Sequence, residues 1–296
     1  MSLLGIKDID SERIRRLVAI GLEVKADPER YRTALTGRSI GLFFQKPSLR
    51  TWVSTDVAAI QLGIHPLVIR NDQTGLGTRE APEDVGRVLD RYLDLLGMRV
   101  FDHGDLVSID THTDMPIVNL LSDAEHPCQA VADLMTLAEH RPLEGAVLAY
   151  VGDGNNVCNS LMIGATMCGV SVRVATPSGH EPSQEMIDAA RIHGEVIVTD
   201  DPVAAVSGVD AVYTDVWASM GQEDEAALRR RQFSEFRVDL PLFEAAAADA
   251  VFLHCLPAHR GEEVSDSVMD HERSRVFDQA ENRLHSFKAI LLDELG

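Results

Sequence analysis

Phe43-Phe44-Gln45-Lys46-Pro47-Ser48-Leu49-Arg50-Thr51 is the stretch on which the reading of the chain turns. An apolar run, Ile40-Gly41-Leu42-Phe43-Phe44, precedes it and is short enough for a buried strand. Val53, Val57, Ile60 and Leu62 follow at helical spacing, and Gly63 ends that pattern. Pro47 and Ser48 mark the turn between them. Strand, turn and helix together place Ser48, Leu49, Arg50 and Thr51 at a helix N-terminus. Backbone N–H groups and the positive end of the helix dipole gather there, so the place suits an anion. Two hydroxyls and the fixed fork of Arg50 match a phosphate. A capped helix with a surface arginine is the plain alternative.

Outward from this unit, residues 8–36 read as mostly helical, with Ile9, Ile14, Leu17, Val18 and Leu22 in phase. Residues 66–69 form a strand, and 71–82 a polar, Gly- and Thr-rich loop. Val85, Val88, Leu89, Tyr92, Leu95 and Leu96 predict a helix, 98–101 a strand and 105–110 a short helix. Residues 116–121 form another strand, and a helix runs over about 129–139. A boundary falls near 140–145, where polar residues and Pro142 break the pattern. Strands then read at 146–151, 170–175, 195–199, 211–214 and 251–254, with helices at 160–168 and 186–193. An amphipathic helix at 281–295 carries Leu284, Phe287, Ile290, Leu291 and Leu295 and must dock on something. Alternating β and α segments imply parallel sheets covered by helices. The expected fold is α/β, with two domains, each a mostly parallel sheet flanked by helices. Residues 1–140 with the C-terminal helix 275–296 make the first domain, and 141–274 the second.

With 296 residues, 45% hydrophobic and 25% charged, the chain reads as globular and cytoplasmic. It has no apolar run of membrane-spanning length and no signal-peptide pattern at its start. Cys128, Cys158, Cys168 and Cys255 form no CxxC pair and read as reduced thiols in apolar surroundings. A formal net charge of −20 argues against nucleic acid and anionic membranes as partners. Any site for an anion must therefore be built locally, against the average field.

Ligands of open α/β sheets bind at the carboxyl ends of strands. Six polar motifs fall at such ends: Ser48 to Thr51, Arg99, His126 to Gln129, Asp153 to Asn156, Asp215 to Met220, and His254 to Pro257. Each has a duller account alone, as a cap, a surface charge or a core thiol. Gly152-Asp153-Gly154-Asn155-Asn156 starts like a dinucleotide fingerprint, but Val157 stands where the third glycine belongs, which argues against nicotinamide. No metal cluster and no cofactor is expected.

Together, Ser48-Leu49-Arg50-Thr51, His126-Pro127-Cys128-Gln129, Gly152-Asp153-Gly154-Asn155-Asn156, Asp215-Val216-Trp217-Ala218-Ser219-Met220-Gly221-Gln222 and His254-Cys255-Leu256-Pro257 resemble the aspartate/ornithine carbamoyltransferase family. The last two motifs, with Glu281-Asn282-Arg283, resemble its ornithine branch. The resemblance implies carbamoyl transfer from carbamoyl phosphate to the side-chain amine of ornithine, giving citrulline and phosphate, as in arginine metabolism. It also implies a homotrimer or a multiple of trimers. By position, Ser48, Leu49, Arg50, Thr51, Arg99, His126, Gln129, Cys255, Leu256 and Arg283 would hold carbamoyl phosphate, with Arg99, His126 and Cys255 catalytic. Asn156, Asp215, Ser219 and Met220 would hold ornithine. In that reading Arg99 and His126 donate to the carbamoyl oxygen as its charge grows.

Two departures bear on the acceptor. The family's usual phosphate loop is Ser-Thr-Arg-Thr-Arg, whereas Leu49 and Trp52 stand here for its first threonine and last arginine. Pro47-Ser48-Leu49-Arg50-Thr51 resembles the loop of transcarbamylases that act on N-acylated ornithine. A second reading therefore keeps carbamoyl phosphate and changes the amine to N-acylornithine, putrescine or another diamino acid. Gly75 stands where the family places a side chain that reaches a neighbouring subunit, so Thr78 or Arg79 would have to replace that contact. A non-catalytic binding protein on the same scaffold is a third reading; Arg50, Arg99, His126 and Cys255 argue against it, because a silent scaffold has no physical need of them.

Overall fold

The computed structural model describes residues 2–71, 79–218 and 225–296. The chain divides into two compact units, Met1–Met135 with Glu281–Gly296, and Thr136–Ala280.

The first unit holds a four-stranded parallel sheet of β1 (Ser39–Phe44), β2 (His65–Arg70), β3 (Leu95–Arg99) and β4 (Ile117–Leu121) in the order β2-β1-β3-β4. Around it run α1 (Ser11–Ala26), α2 (Leu49–Gln61), α3 (Pro82–Leu89), α4 (His103–Asp110) and the start of α5 (Pro127–Ala138). Helix starts follow cap chemistry: Asp10 accepts from Arg13 N–H, Ser48 from Thr51 N–H and Asp102 from Gly104 N–H. Two expectations are corrected. The helix expected over 8–36 stops at Ala26, because Asp27-Pro28 cannot continue it, and only a 3₁₀ turn at Pro28–Tyr31 follows. Leu95 and Leu96 belong to β3, paired with Ile40 and Gly41, and α3 ends at Leu89. Both leucines are fully buried; a strand covered on both faces lacks the polar alternation that would have marked it.

The second unit holds a five-stranded parallel sheet: β5 (Val147–Val151), β6 (Ser171–Ala175), β7 (Val196–Thr199), β8 (Ala211–Thr214) and β9 (Val251–His254), in the order β7-β6-β5-β8-β9. Its helices are α6 (Asn156–Met167), α7 (Gln184–Arg191), α8 (Pro202–Val206), α9 (Ala226–Gln232), α10 (Leu240–Glu244) and α11 (Asp266–Met269). The last four were not read from sequence. The longest of them has seven residues, too few for a helical period to show. Trp217, Phe233, Phe243 and Phe252 share one apolar cluster with Val151 and Val212.

The last helix, α12, runs over Val276–Leu295 and packs in the first unit from Glu281 onward. It is not one-sided: every residue from His285 to Leu291 is buried, Lys288 included. Arg13 of α1 holds its far end, with Nε 2.8 Å from Asp293 Oδ2 and a second contact to Glu294. Lys25 Nζ donates to Asn282 Oδ1 at 2.9 Å near its middle.

In each sheet, chain order reverses at one seam, β1 against β3 and β5 against β8. Such seams open a crevice at the carboxyl ends of the strands. Four of the six polar motifs lie at or just after the ends of β1, β3, β5 and β8; those of His126 and His254 lie at the ends of β4 and β9.

Candidate active site

Parallel pairing of Phe44 with Arg99 sets the ends of β1 and β3 side by side, and Gln45 N–H donates to the Arg99 carbonyl at 2.8 Å. The chain then turns into α2 with Ser48 as its cap. Ser48 Oγ donates to Thr51 Oγ1 at 3.0 Å, and Arg283 Nη2 donates to the same hydroxyl at 3.4 Å. The other arm of Arg283 donates to Gln129 Oε1 at 2.6 Å, while Gln129 Nε2 donates to Asp133 Oδ1 at 2.7 Å. One connected network therefore joins the starts of α2 and α5 to the last helix. It gathers Ser48, Thr51, Gln129 and Arg283 from three distant parts of the sequence. Leu49 is 72% exposed, so its side chain contributes nothing inside, whereas Arg50 is half-buried in the first turn of α2.

Cations concentrate here. Arg99, Arg283 and Lys46 are all buried. Burial drives His126 well below its ordinary value of 6.5, and the nearby charges of Arg283 and Arg99 push it further down. Its imidazole is thus neutral near pH 7 and offers one N–H. Burial likewise lowers Lys46, as does the charge of Arg99, against a smaller pull from Asp123. Lys46 Nζ rests 4.3 Å from the centroid of the Phe101 ring. Lys46 was not singled out in the sequence. A lysine wedged between an apolar strand and a proline was the available signal.

In the second unit, Thr214 pairs with both Val151 and His254, so the residues after β5, β8 and β9 emerge together. Asp215 is buried and receives two donors: Cys255 Sγ at 3.0 Å on Oδ1, and Asn155 Nδ2 at 3.0 Å on Oδ2. Asn155 also caps α6. Asn156, expected at the ligand, is the first residue of α6 and half-buried, its Oδ1 accepting from Val157 N–H at 3.0 Å. Gly154 packs so closely on the backbone of Glu181 and Pro182 that a Cβ would come within 2.2 Å of Pro182 N. The glycines that resemble a dinucleotide motif thus include one required by packing. Cys255 is half-buried and bonded to a carboxylate, not enclosed in apolar core as expected. Leu256 takes φ +59, a left-handed backbone rare for a branched residue, and a cis peptide bond joins it to Pro257. Its N–H donates to His254 Nδ1 at 2.9 Å, so the ring's hydrogen sits on Nε2, facing Glu263 Oε1 at 3.2 Å.

Cys255 and Leu256, assigned by resemblance to carbamoyl phosphate, lie in the second unit beside Asp215. Ser219, Met220, Gly75 and Thr78 lie outside the described residues. Among the described residues, ligand-type atoms of Asp215, His254 and Cys255 lie within 4.8 Å of one another. Both His254 nitrogens, the thiol and both Asp215 oxygens already have protein partners, so this is a hydrogen-bonded cluster.

Residues 1–139 match the family described as aspartate/ornithine carbamoyltransferase, carbamoyl-P binding domain, and residues 144–293 match its Asp/Orn binding domain. The chain belongs to the aspartate/ornithine carbamoyltransferase family. A relative named ornithine carbamoyltransferase from Nostoc punctiforme is 44% identical over 299 residues, covering 99% of this chain and 97% of its own. Another of that name, from Acidothermus cellulolyticus, is 50% identical over 272 residues, covering 88% and 87%. The solved ornithine carbamoyltransferase from Pyrococcus furiosus superposes with a TM-score of 0.94 at 45% identity, over 98% of this chain and 95% of that one. An acetylornithine transcarbamylase complexed with acetylcitrulline also shares the fold, with a TM-score of 0.89 at 30% identity, over 100% and 99%.

Proposed function

We infer that the chain transfers the carbamoyl group of carbamoyl phosphate to the side-chain amine of L-ornithine, giving L-citrulline and phosphate. The observation that carries this reading is the match, over nearly its whole length, to ornithine carbamoyltransferases. The site chemistry agrees with it. Ser48, Arg50, Thr51, Arg283 and the start of α2 neutralise the phosphate, and Lys46 adds charge to the same region. Arg99 and neutral His126 donate to the carbamoyl oxygen, where negative charge grows as the amine attacks. The C–O bond to phosphate then breaks, and phosphate leaves with that bond's electron pair and with the proton that the attacking amine gives up, its charge stabilised by this basic cluster. In the second unit, Asp215 meets the α-ammonium of ornithine and Asn156 its α-carboxylate. Cys255 faces the side-chain amine, which must be neutral to attack.

The second reading, an N-acylated ornithine as acceptor, is favoured by Pro47-Ser48-Leu49. Asp215 speaks against it: an acylated nitrogen carries no cation, and a buried carboxylate without its partner costs a few kcal/mol. A ureido-product assay over ornithine, lysine, N-acetylornithine, N-succinylornithine and putrescine decides. Ornithine has the highest kcat/KM; either acylated amine or putrescine ahead of it replaces the first reading with the second.

Leu49, Trp52, Val53 and Ile60 form an exposed apolar row on α2, which supports the homotrimer implied by the family. All four cysteines are thiols rather than disulfides, which supports a cytoplasmic location. No helix among the described residues is long and apolar enough to cross a membrane.

A further inference from the structure

We propose that Asn155 is a positioning residue for the acceptor, orienting the Asp215 carboxylate toward the α-ammonium; the proposal rests on reading that acceptor as ornithine. The amide of Asn155 makes contacts on both sides. Its Oδ1 accepts from Val157 N–H at 3.0 Å, from Cys158 N–H at 3.1 Å and from the Tyr150 hydroxyl at 3.3 Å. Its Nδ2 donates to Asp215 Oδ2 at 3.0 Å.

The direction of this amide is fixed by chemistry. Two of the three groups around Oδ1 are backbone N–H groups, which can only donate. Tyr150 is fully buried and stacked on Tyr213 with ring centroids 5.5 Å apart. Burial pushes its phenol well above the ordinary value, so it too remains an O–H donor. The oxygen must therefore face the helix and the nitrogen must face Asp215.

Residue type follows from the same contacts. Ser, Thr, Asp and Asn all cap helices well. Of these only Asn pairs an acceptor oxygen with an N–H donor on the same rigid plane. A cap alone would be served by any of the four; the contact to Asp215 requires the amide. With Asn155 on Oδ2 and the Cys255 thiol on Oδ1, the carboxylate is pinned at both oxygens. Each oxygen keeps a further lone pair for an incoming ammonium.

The test uses the full-length protein with Asn155→Ser and Asn155→Asp, both of which keep a capping oxygen. Two unreactive probes are titrated as competitive inhibitors in the presence of carbamoyl phosphate. L-2-aminopentanoate keeps the α-ammonium, and pentanoate lacks it. In both variants the inhibition constant for L-2-aminopentanoate rises about tenfold or more, the scale of one charge-assisted hydrogen bond. That for pentanoate stays within about twofold, and carbamoyl-phosphate affinity stays within about threefold, well under one such bond. Equal losses for both probes, or loss of carbamoyl-phosphate binding in both variants, would make Asn155 a structural cap and overturn the proposal. So would a 2-aminopentanoate constant unchanged in Asn155→Ser. If the unmodified protein binds pentanoate as tightly as 2-aminopentanoate, the failure lies in the ornithine reading, and it shows before any variant is made.

Discussion

Arg50 stands in the first turn of α2, one residue past an exposed leucine and one before the buried Thr51. A guanidinium at that position can meet a phosphate bidentately, with the free backbone N–H groups of a helix start alongside. Arg50→Ala should lower kcat/KM by about 10²–10³-fold, and Arg50→Lys should restore only part, because a point charge cannot replace the fork. Near-native turnover of the alanine variant would move the phosphate to another loop. Lys46 gives a different expectation. It is a buried cation whose ammonium is weakened by burial and by Arg99, so it costs stability where it stands. Lys46→Met should weaken carbamoyl-phosphate binding about tenfold by calorimetry while leaving the melting temperature unchanged or raised. A lower melting temperature with unchanged affinity would make it a structural lysine. At this scale the motifs of the sequence pointed to Ser48, Arg50, Thr51 and Asp215, and the structure shows Ser48 and Thr51 joined to Arg283, and Asp215 to Asn155 and Cys255. It was silent about Lys46 and Asn155, whose roles depend on burial and on partners across the fold.

The elements show the same division. Most strands and the longer helices were legible from period and punctuation; the strand order, with its seams, came only from the structure. Four short helices of the second unit were not legible, because seven residues or fewer show too little period and tertiary contacts do much to hold them. One of these contacts is open to measurement. Arg229 of α9 reaches Asp153 Oδ2 at 3.0 Å and the Trp217 carbonyl at 2.9 Å, tying the loop after β5 to the segment after β8. Burial raises the Asp153 carboxyl, and Arg229 and then His180 pull it back. Arg229→Met leaves that carboxylate enclosed without its main partner and should cost about 3–5 kcal/mol, less whatever protonation of Asp153 relieves. Adding Asp153→Asn should recover a large part, read as coupling in a denaturant-unfolding cycle. Additive losses would mean that the two residues act independently.

For the whole molecule, charge is distributed unevenly in a way that pH exposes. His103, His126 and His285 all belong to the first unit, and burial is the leading cause of depression in each. A histidine depressed in the folded state binds fewer protons there than in the unfolded chain. Its contribution is therefore complete above the ordinary value of 6.5 and is lost as pH falls below it toward the folded value. Asp153, raised by burial, has the opposite sign and favours the second unit on acidification. Calorimetry from pH 8 to pH 5.5 at constant ionic strength should show a transition assigned to the first unit falling by about several degrees, starting near 6.5, with His103→Gln flattening part of the slope. A profile flat through this range would contradict the assignment.

The path of α12 has a consequence for how the chain is made. The second unit is one continuous run, Thr136–Ala280, whereas the first needs Glu281–Gly296 as well. On the ribosome, therefore, the half that emerges first is the half that is finished last. Arg13 waits through 280 residues of synthesis for Asp293, Thr51 through 232 for Arg283, and Gln129 through 154 for the same arginine. A nascent chain stalled before α12 carries a complete second sheet and a first sheet whose basic network still lacks one of its cations.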